Sequence, residues 1–119
     1  MAHNYDRRLR VADLLKHELA KLILGQSRDP RFVFVSVTDV EISKDYANAK
    51  VFVTILNDEQ VNEIILALNK AAGFFRHELA RAVNLRTTPK LHFHYDDTIR
   101  QGQKISQLLQ KPSTDSTEE

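Results

Sequence analysis

The chain has no cysteine and no tryptophan, and only three glycines and three prolines among 119 residues. Without cysteine there can be no disulfide and no thiolate metal site, and a reducing compartment is the simple expectation. No stretch approaches the ~20 consecutive apolar residues of a membrane span. The opening MAHNYDRRLR lacks the apolar run of a secretory signal. The expectation is therefore a cytoplasmic protein without membrane association. Nucleophile elbows, phosphate-cradling glycine loops and zinc motifs are absent too, so the residues point neither to an enzyme nor to a cofactor.

What is present is ordinary for a single globular domain: 42% hydrophobic and 28% charged residues in 13.7 kDa. Residues 1–110 read as that domain, and 111–119, KPSTDSTEE, as a disordered acidic tail. The net charge of +1 conceals a polarised distribution. Residues 1–31 carry seven Lys/Arg against four Asp/Glu, and residues 70–90 five against one. Between them, residues 39–63 carry two against six. A charge run is most often a solvated face, so the two basic regions matter only if folding brings them together.

Apolar periodicity supplies the elements. Tyr5–Leu24 reads as a helix with Leu9, Ala12, Leu15, Leu19, Leu22 and Ile23 inward. Arg7, Arg10, Leu14, His17 and Lys21 fall on the opposite side, and Gly25 closes the helix. FVFVSVTDVEIS reads as a strand whose apolar parity changes between Val33, Val35, Val37 and Val40, Ile42, which calls for a bulge near Thr38–Asp39. After the turn SKDYAN, Ala47, Ala49, Val51, Val53 and Ile55 alternate as a second, antiparallel strand. Asn57 or Asp58 is the expected cap of the next helix, with a stripe of Val61, Ile64, Ile65, Leu68 and Ala72. Beyond a break, Phe75, Leu79, Ala82 and Val83 continue that stripe. KLHFHYDD is a third strand with Leu91, Phe93 and Tyr95 inward, and DTIRQGQKISQLLQ a weaker final helix. Helices on one face of a small sheet would bury every stripe, which is α+β.

The break, Ala71-Ala72-Gly73, is the unusual place. A helical glycine costs roughly 1 kcal/mol relative to alanine. It serves either a tight crossing of two helices or close approach of a phosphate backbone. Lys70, Gly73, Phe74, His77 and Arg81 project from the polar side there, and a helix start beside cations favours an anion. Phe74 could stack on a base, but folding over the kink into the core is the expectation. Arg7, Arg10 and Lys21 of the first helix, with Lys70, Arg76, Arg81, Arg86 and Lys90, could then form one stripe that positions an RNA backbone without reading sequence. His92 and His94 share a strand face, a spacing able to hold a metal, with Asp96 of the same parity. They are read as outward-facing histidines and not as a metal site. Asp96 and Asp97 are read as caps of the last helix.

RRLRVADLLKHELAKLI, RDPR, VSVTDVEISKDYANAKVFVTIL, KAAGFFRHELARAVNLRTTPKLHFHYDD and GQKISQLL resemble, in order and over roughly residues 5 to 110, the bacterial ribosome-binding factor A family. The resemblance implies a type II KH-like fold, helix-strand-strand-helix-kink-helix-strand, with an Ala-X-Gly kink where KH relatives carry a GXXG loop. It implies a monomeric, non-catalytic factor that binds free 30S ribosomal subunits and promotes late 16S rRNA maturation, including 5′-end processing, with a part in growth in the cold. The expected RNA-binding set is Arg7, Arg10, Lys21, Lys70, Ala71, Ala72, Gly73, Arg76, Arg81, Arg86 and Lys90. Some members carry a longer basic C-terminal extension, and this chain ends in acidic STDSTEE instead. The rival readings are a general single-stranded RNA-binding module and a protein-interaction module that uses a sheet edge.

Overall fold

A computed structural model describes residues 2–25, 29–56 and 58–97, with the side chains of residues 6–25, 29–56 and 59–97. The helices are α1 (Ala2–Gly25), α2 (Val61–Lys70) and α3 (Ala72–Ala82), and the strands β1 (Val35–Ile42), β2 (Asn48–Ile55) and β3 (Lys90–Tyr95). The order is the expected helix-strand-strand-helix-helix-strand. The expected final helix and the tail lie outside the described residues.

In α1 the residues that reach the core are Ala12, Leu15, Leu19, Leu22 and Ile23, with Val11 half-buried beside them. Leu9, expected inward, is 51% exposed. At 100° per residue it lies about 90° from the centre of the buried stripe, which passes instead through Arg8. The Arg8 guanidinium donates to the Ile42 carbonyl at 3.2 Å and fixes the helix against the end of β1.

The strand expected from Phe32 begins at Val35, because Pro30–Phe34 is a 3-10 turn. The Asp29 carboxylate starts that turn by accepting from Arg31 N–H at 3.0 Å and from the Arg31 guanidinium at 3.0 and 2.7 Å. Alternation is lost in a 3-10 turn. Phe32 therefore enters the core while Val33, expected inward, is 62% exposed. Arg31 also reaches Glu63 of α2 at 3.8 Å, so the loop is tied to the helix layer.

β1 and β2 pair antiparallel, and β3 joins β2 in parallel, giving the order β1-β2-β3. The bulge is where the parity change placed it: Val37 faces Val53 and Asp39 faces Phe52, leaving Thr38 as the extra residue. Its hydroxyl donates to the Asp96 carboxylate at 2.6 Å and contacts the Phe52 carbonyl at 3.2 Å, so the bulge joins all three strands. Through it Val35, Val40 and Ile42 all reach the core, with Val37 half-buried, alongside Ala49, Val51, Val53, Ile55, Leu91 and Phe93.

The second helix is not capped as expected. It starts at Val61 behind a 3-10 turn, Asp58–Gln60, and Gln60, at the cap position, makes no side-chain cap bond; Asn57 lies outside the described residues. Ile64, Leu68, Phe75, Leu79 and Val83 are buried, and Ala82, expected among them, is exposed. Asn69 closes the outer edge of β3, its amide donating to the Phe93 carbonyl at 3.1 Å and accepting from Phe93 N–H at 2.8 Å. At Phe93 that edge is satisfied within the chain.

The Arg31 hydrogen bonds hold the Asp29 carboxyl below its ordinary value near 3.8. A depressed folded-state pKa contributes stability that is present above the unfolded value and lost as pH falls through the folded one. This pair's contribution to thermal stability should therefore be constant near neutrality and lost in acid below about pH 4. Asp29→Asn should flatten part of the acid decline, as read by melting temperature against pH. An unchanged acid limb would show that the Asp29–Arg31 pair contributes nothing.

Candidate nucleic-acid interface

The basic residues of the expected set divide into four groups by what surrounds them. Arg7 and Arg10 are exposed on α1, and neither makes an ion pair or hydrogen bond among the described residues. The same holds for Lys70 at the end of α2 and for Arg86 in the loop after α3. Lys21 and Arg81 are exposed too, but each has a carboxylate one helical turn away, Glu18 at 3.4 Å and Glu78 at 3.7 Å. Such surface pairs are weak and leave most of the cation's donors open to a partner.

Arg76 differs. It is half-buried, and its Nε donates to the Thr88 carbonyl at 3.0 Å, which pins the loop leading into β3 against α3. Lys90 differs again. Leu91 and Phe93 point into the core, so Lys90, His92 and His94 stand on the opposite face of the sheet from the helices. A single stripe over the helix face therefore cannot include Lys90.

On that outer face His92 Nε2 lies 3.0 Å from the Asn48 amide oxygen, and the His94 ring lies 5.8 Å from that of Phe52. Among the described residues no group of three His, Asp or Glu side chains is placed to hold a metal ion. Asp96 is engaged by Thr38, and the residues expected to form the helix it would cap lie outside the described residues from 98 on.

The break between α2 and α3 falls at Ala71 and not at the glycine. Ala71 has φ −87° and ψ 1°, outside the helical well, yet its N–H still reaches the Ala67 carbonyl and its carbonyl still accepts from Phe75. Ala71 and Ala72 are half-buried against the core, where larger side chains would push α2 and α3 off the sheet. Gly73 sits in the first turn of α3, exposed. Its φ is not positive, and a Cβ built on it meets nothing within 4 Å. Helix crossing therefore does not explain this glycine. It lines an open groove of about 420 Å³ with Arg76, His77, Ala80 and Thr88. Phe74 beside it is 45% exposed, resting edge-on against Phe75 with ring centres 5.5 Å apart. The expected burial of Phe74 is corrected, because Phe75 already fills the core below the kink.

A second concavity, of about 300 Å³, lies where α1, the β1–β2 turn and the loop after α3 meet. Arg7 and Arg86 line it together, with Asp45, Val11, Tyr46 and Leu85. Here the fold joins the two basic regions of the sequence. Sequence reasoning missed Tyr46, because nothing marks a tyrosine in a turn as part of a cationic cavity.

Residues 7–109 match the family model described as ribosome-binding factor A. The chain belongs to the ribosome-binding factor A family. It is 48% identical over 110 residues to the ribosome-binding factor A of Azoarcus sp. strain BH72, covering 92% of this chain and 87% of that one. It is 43% identical to that of Pseudomonas fluorescens strain Pf-5, covering 93% and 86%. The crystal structure of ribosome-binding factor A from Thermus thermophilus superposes with a TM-score of 0.67 at 31% identity, over 74% of this chain and 94% of that one. A homology model of the Thermus thermophilus factor, as fitted into a cryo-EM map of its complex with the 30S particle, superposes at 0.62 with 30% identity, over 76% and 96%. No helix of the described residues is long and apolar enough to cross a membrane.

Proposed function

We propose that this chain is a non-catalytic ribosome-binding factor that docks on free 30S subunits through 16S rRNA phosphates and promotes late maturation of that RNA, including its 5′ end. The observation that carries the reading is the meeting of Arg7 and Arg86 in one cavity, where neither makes an ion pair among the described residues and the carboxylate in the lining, Asp45, is engaged by the turn. Two guanidiniums against one carboxylate leave a positive excess that an anion from outside can meet. Family membership and the 30S complex of the Thermus thermophilus factor support the same partner. Arg10, Lys70 and Arg81, exposed on the helices, and the Gly73 groove are the further contacts of this proposal. Binding a maturing rRNA conformation more tightly than the finished one shifts its population, and no catalytic group is needed. Against the sheet-edge rival, Asn69 already occupies the backbone of Phe93 on the β3 edge.

The test is equilibrium binding to purified 30S subunits as salt rises. Each phosphate contact should steepen the dependence of log K on log salt by about 0.7–0.9. An affinity indifferent to salt would contradict docking on phosphates. Equal affinity for unstructured single-stranded RNA would favour a general RNA-binding module.

Gly73 supplies a second test. Gly73→Ala should stabilise the fold by about 0.5–1 kcal/mol in urea denaturation, since the methyl group meets nothing and the unfolded chain loses freedom. The same change should weaken 30S binding, because it fills space kept open for a partner's backbone. Unaltered binding would remove the groove from the interface.

A further inference from the structure

The cavity shared by Arg7 and Arg86 contains a feature that phosphate docking alone does not require. Tyr46 has φ +61°, the only positive φ among the described residues. That left-handed conformation costs a bulky residue roughly 1–2 kcal/mol and suits glycine or asparagine. The turn imposes it. Ser43 N–H and Asn48 O are 2.9 Å apart, Tyr46 N–H donates to Ser43 O at 2.9 Å, and the Asp45 carboxylate accepts from the Ser43 hydroxyl at 2.7 Å and Ala47 N–H at 3.0 Å. None of these bonds uses the phenol ring, so a glycine would close the same turn more easily. Strain kept at one side chain points to work done by that side chain. Half of it packs on the core edge, and the rest lines the cavity.

The other walls define what the cavity accepts. Val11 and Leu85 supply apolar surface, and Arg7 and Arg86 supply two guanidinium forks suited to a phosphate. Asp45 lines it too, with Oδ1 occupied by the turn and Oδ2 without a hydrogen bond among the described residues. The Ser43 hydroxyl and Ala47 N–H keep that carboxyl below its ordinary range, so at neutral pH it can only accept. A carboxylate repels a phosphate but accepts from an exocyclic amine. About 300 Å³ has room for a single nucleotide.

We propose that this cavity takes one unstacked RNA nucleotide, its base against the Tyr46 ring, its phosphate on Arg7 and Arg86, and an amino group of cytosine, adenine or guanine on Asp45. The proposal rests on the reading that the chain binds rRNA, and it adds a base-selective contact to an otherwise sequence-blind surface. Aromatic stacking on splayed-out bases is how single-stranded RNA is ordinarily gripped, and amino-bearing bases are separated from uracil by the acceptor they meet.

The experiment titrates the full chain with CMP, UMP and ribose 5-phosphate in the millimolar range, followed by amide chemical shifts, and measures 30S binding in parallel. CMP should move Val11, Tyr46, Leu85 and Arg86 and bind more tightly than UMP, with ribose 5-phosphate weakest. Tyr46→Leu keeps the packing but removes the π face. It should weaken CMP and 30S binding by about tenfold, and Tyr46→Phe should not. Asp45→Asn keeps the turn acceptor and offers a donor in place of Oδ2, so it should shift preference toward UMP, and it serves if Tyr46→Leu fails to fold. Equal binding of CMP and ribose 5-phosphate, or no shift in these residues, overturns the proposal. So does 30S binding by Tyr46→Leu at the wild-type level, and that result leaves ribosome docking standing. Failure of the wild-type chain to bind 30S strikes the docking reading instead, and the CMP titration still judges the cavity.

Discussion

Phe75→Ala should cost about 3–5 kcal/mol, the range for deleting a buried aromatic. Phe75 is fully buried and touches three rings: Phe32 at 6.2 Å, Phe93 at 5.9 Å and Phe74 at 5.5 Å between centres. It thus joins α3 to the 3-10 turn and to β3, elements far apart in sequence. Removing it leaves a void among these rings. A domain of this size has only about 5–15 kcal/mol of net stability, so the loss should lower the melting temperature by about 15 °C or more. Phe74→Ala is the control. It removes one edge contact from a half-exposed side chain and should cost about 1 kcal/mol. Equal losses at the two positions in urea denaturation would mean that the division of labour between these adjacent rings is wrong.

That division also shows where a sequence can be read and where it cannot. The Thr38 bulge was legible because five apolar residues change parity around it, and burial on one sheet face permits a single way of satisfying both halves. The β3 alternation was equally plain, yet Lys90 was grouped by charge with the helix face, and the structure puts it on the outer face of the sheet. By contrast, Phe32-Val33-Phe34 looks like a strand and is a 3-10 turn. The deciding group is the Asp29 carboxylate, which caps Arg31 and cannot be distinguished by pattern from any other loop aspartate. Phe74 looked like a core residue because aromatics usually are. Its place depended on whether Phe75 alone could fill the space under the kink.

The interface was legible in parts. Which residues carry charge is evident from the sequence. Which charges meet depends on how α1 lies against α3 and where the loop after α3 turns back, and periodicity contains neither. Arg76 illustrates the difficulty: by type and region it belongs to the basic set, yet the structure uses its Nε to hold Thr88. Gly73 was recognisable as costly, but only the open space around its Cα separates a reserved surface from a packing need. Tyr46 was invisible, because its backbone conformation is imposed by neighbours and contradicts its own preference.

The triple variant Arg7→Ala, Arg81→Ala, Arg86→Ala should reduce 30S affinity on the order of a hundredfold near physiological salt, and lower the slope of log K against log salt by about 2–3. All three side chains are exposed, and Arg7 and Arg86 have no partner among the described residues, so the fold should barely notice. Arg81 gives up one surface pair with Glu78 at 3.7 Å, a contribution of at most about 1 kcal/mol. Arg76 is left in place because its loss would free the Thr88 loop and confuse folding with binding. Lys90→Ala, on the far face of the sheet, is the matched control, and it should retain most of the affinity and the full slope. Two results would count against the interface. If Lys90→Ala weakens binding as much as the triple variant, the particle is gripped by the sheet face. If the triple variant loses affinity with an unchanged salt slope, these arginines do not meet phosphates, and the contact is made through other chemistry.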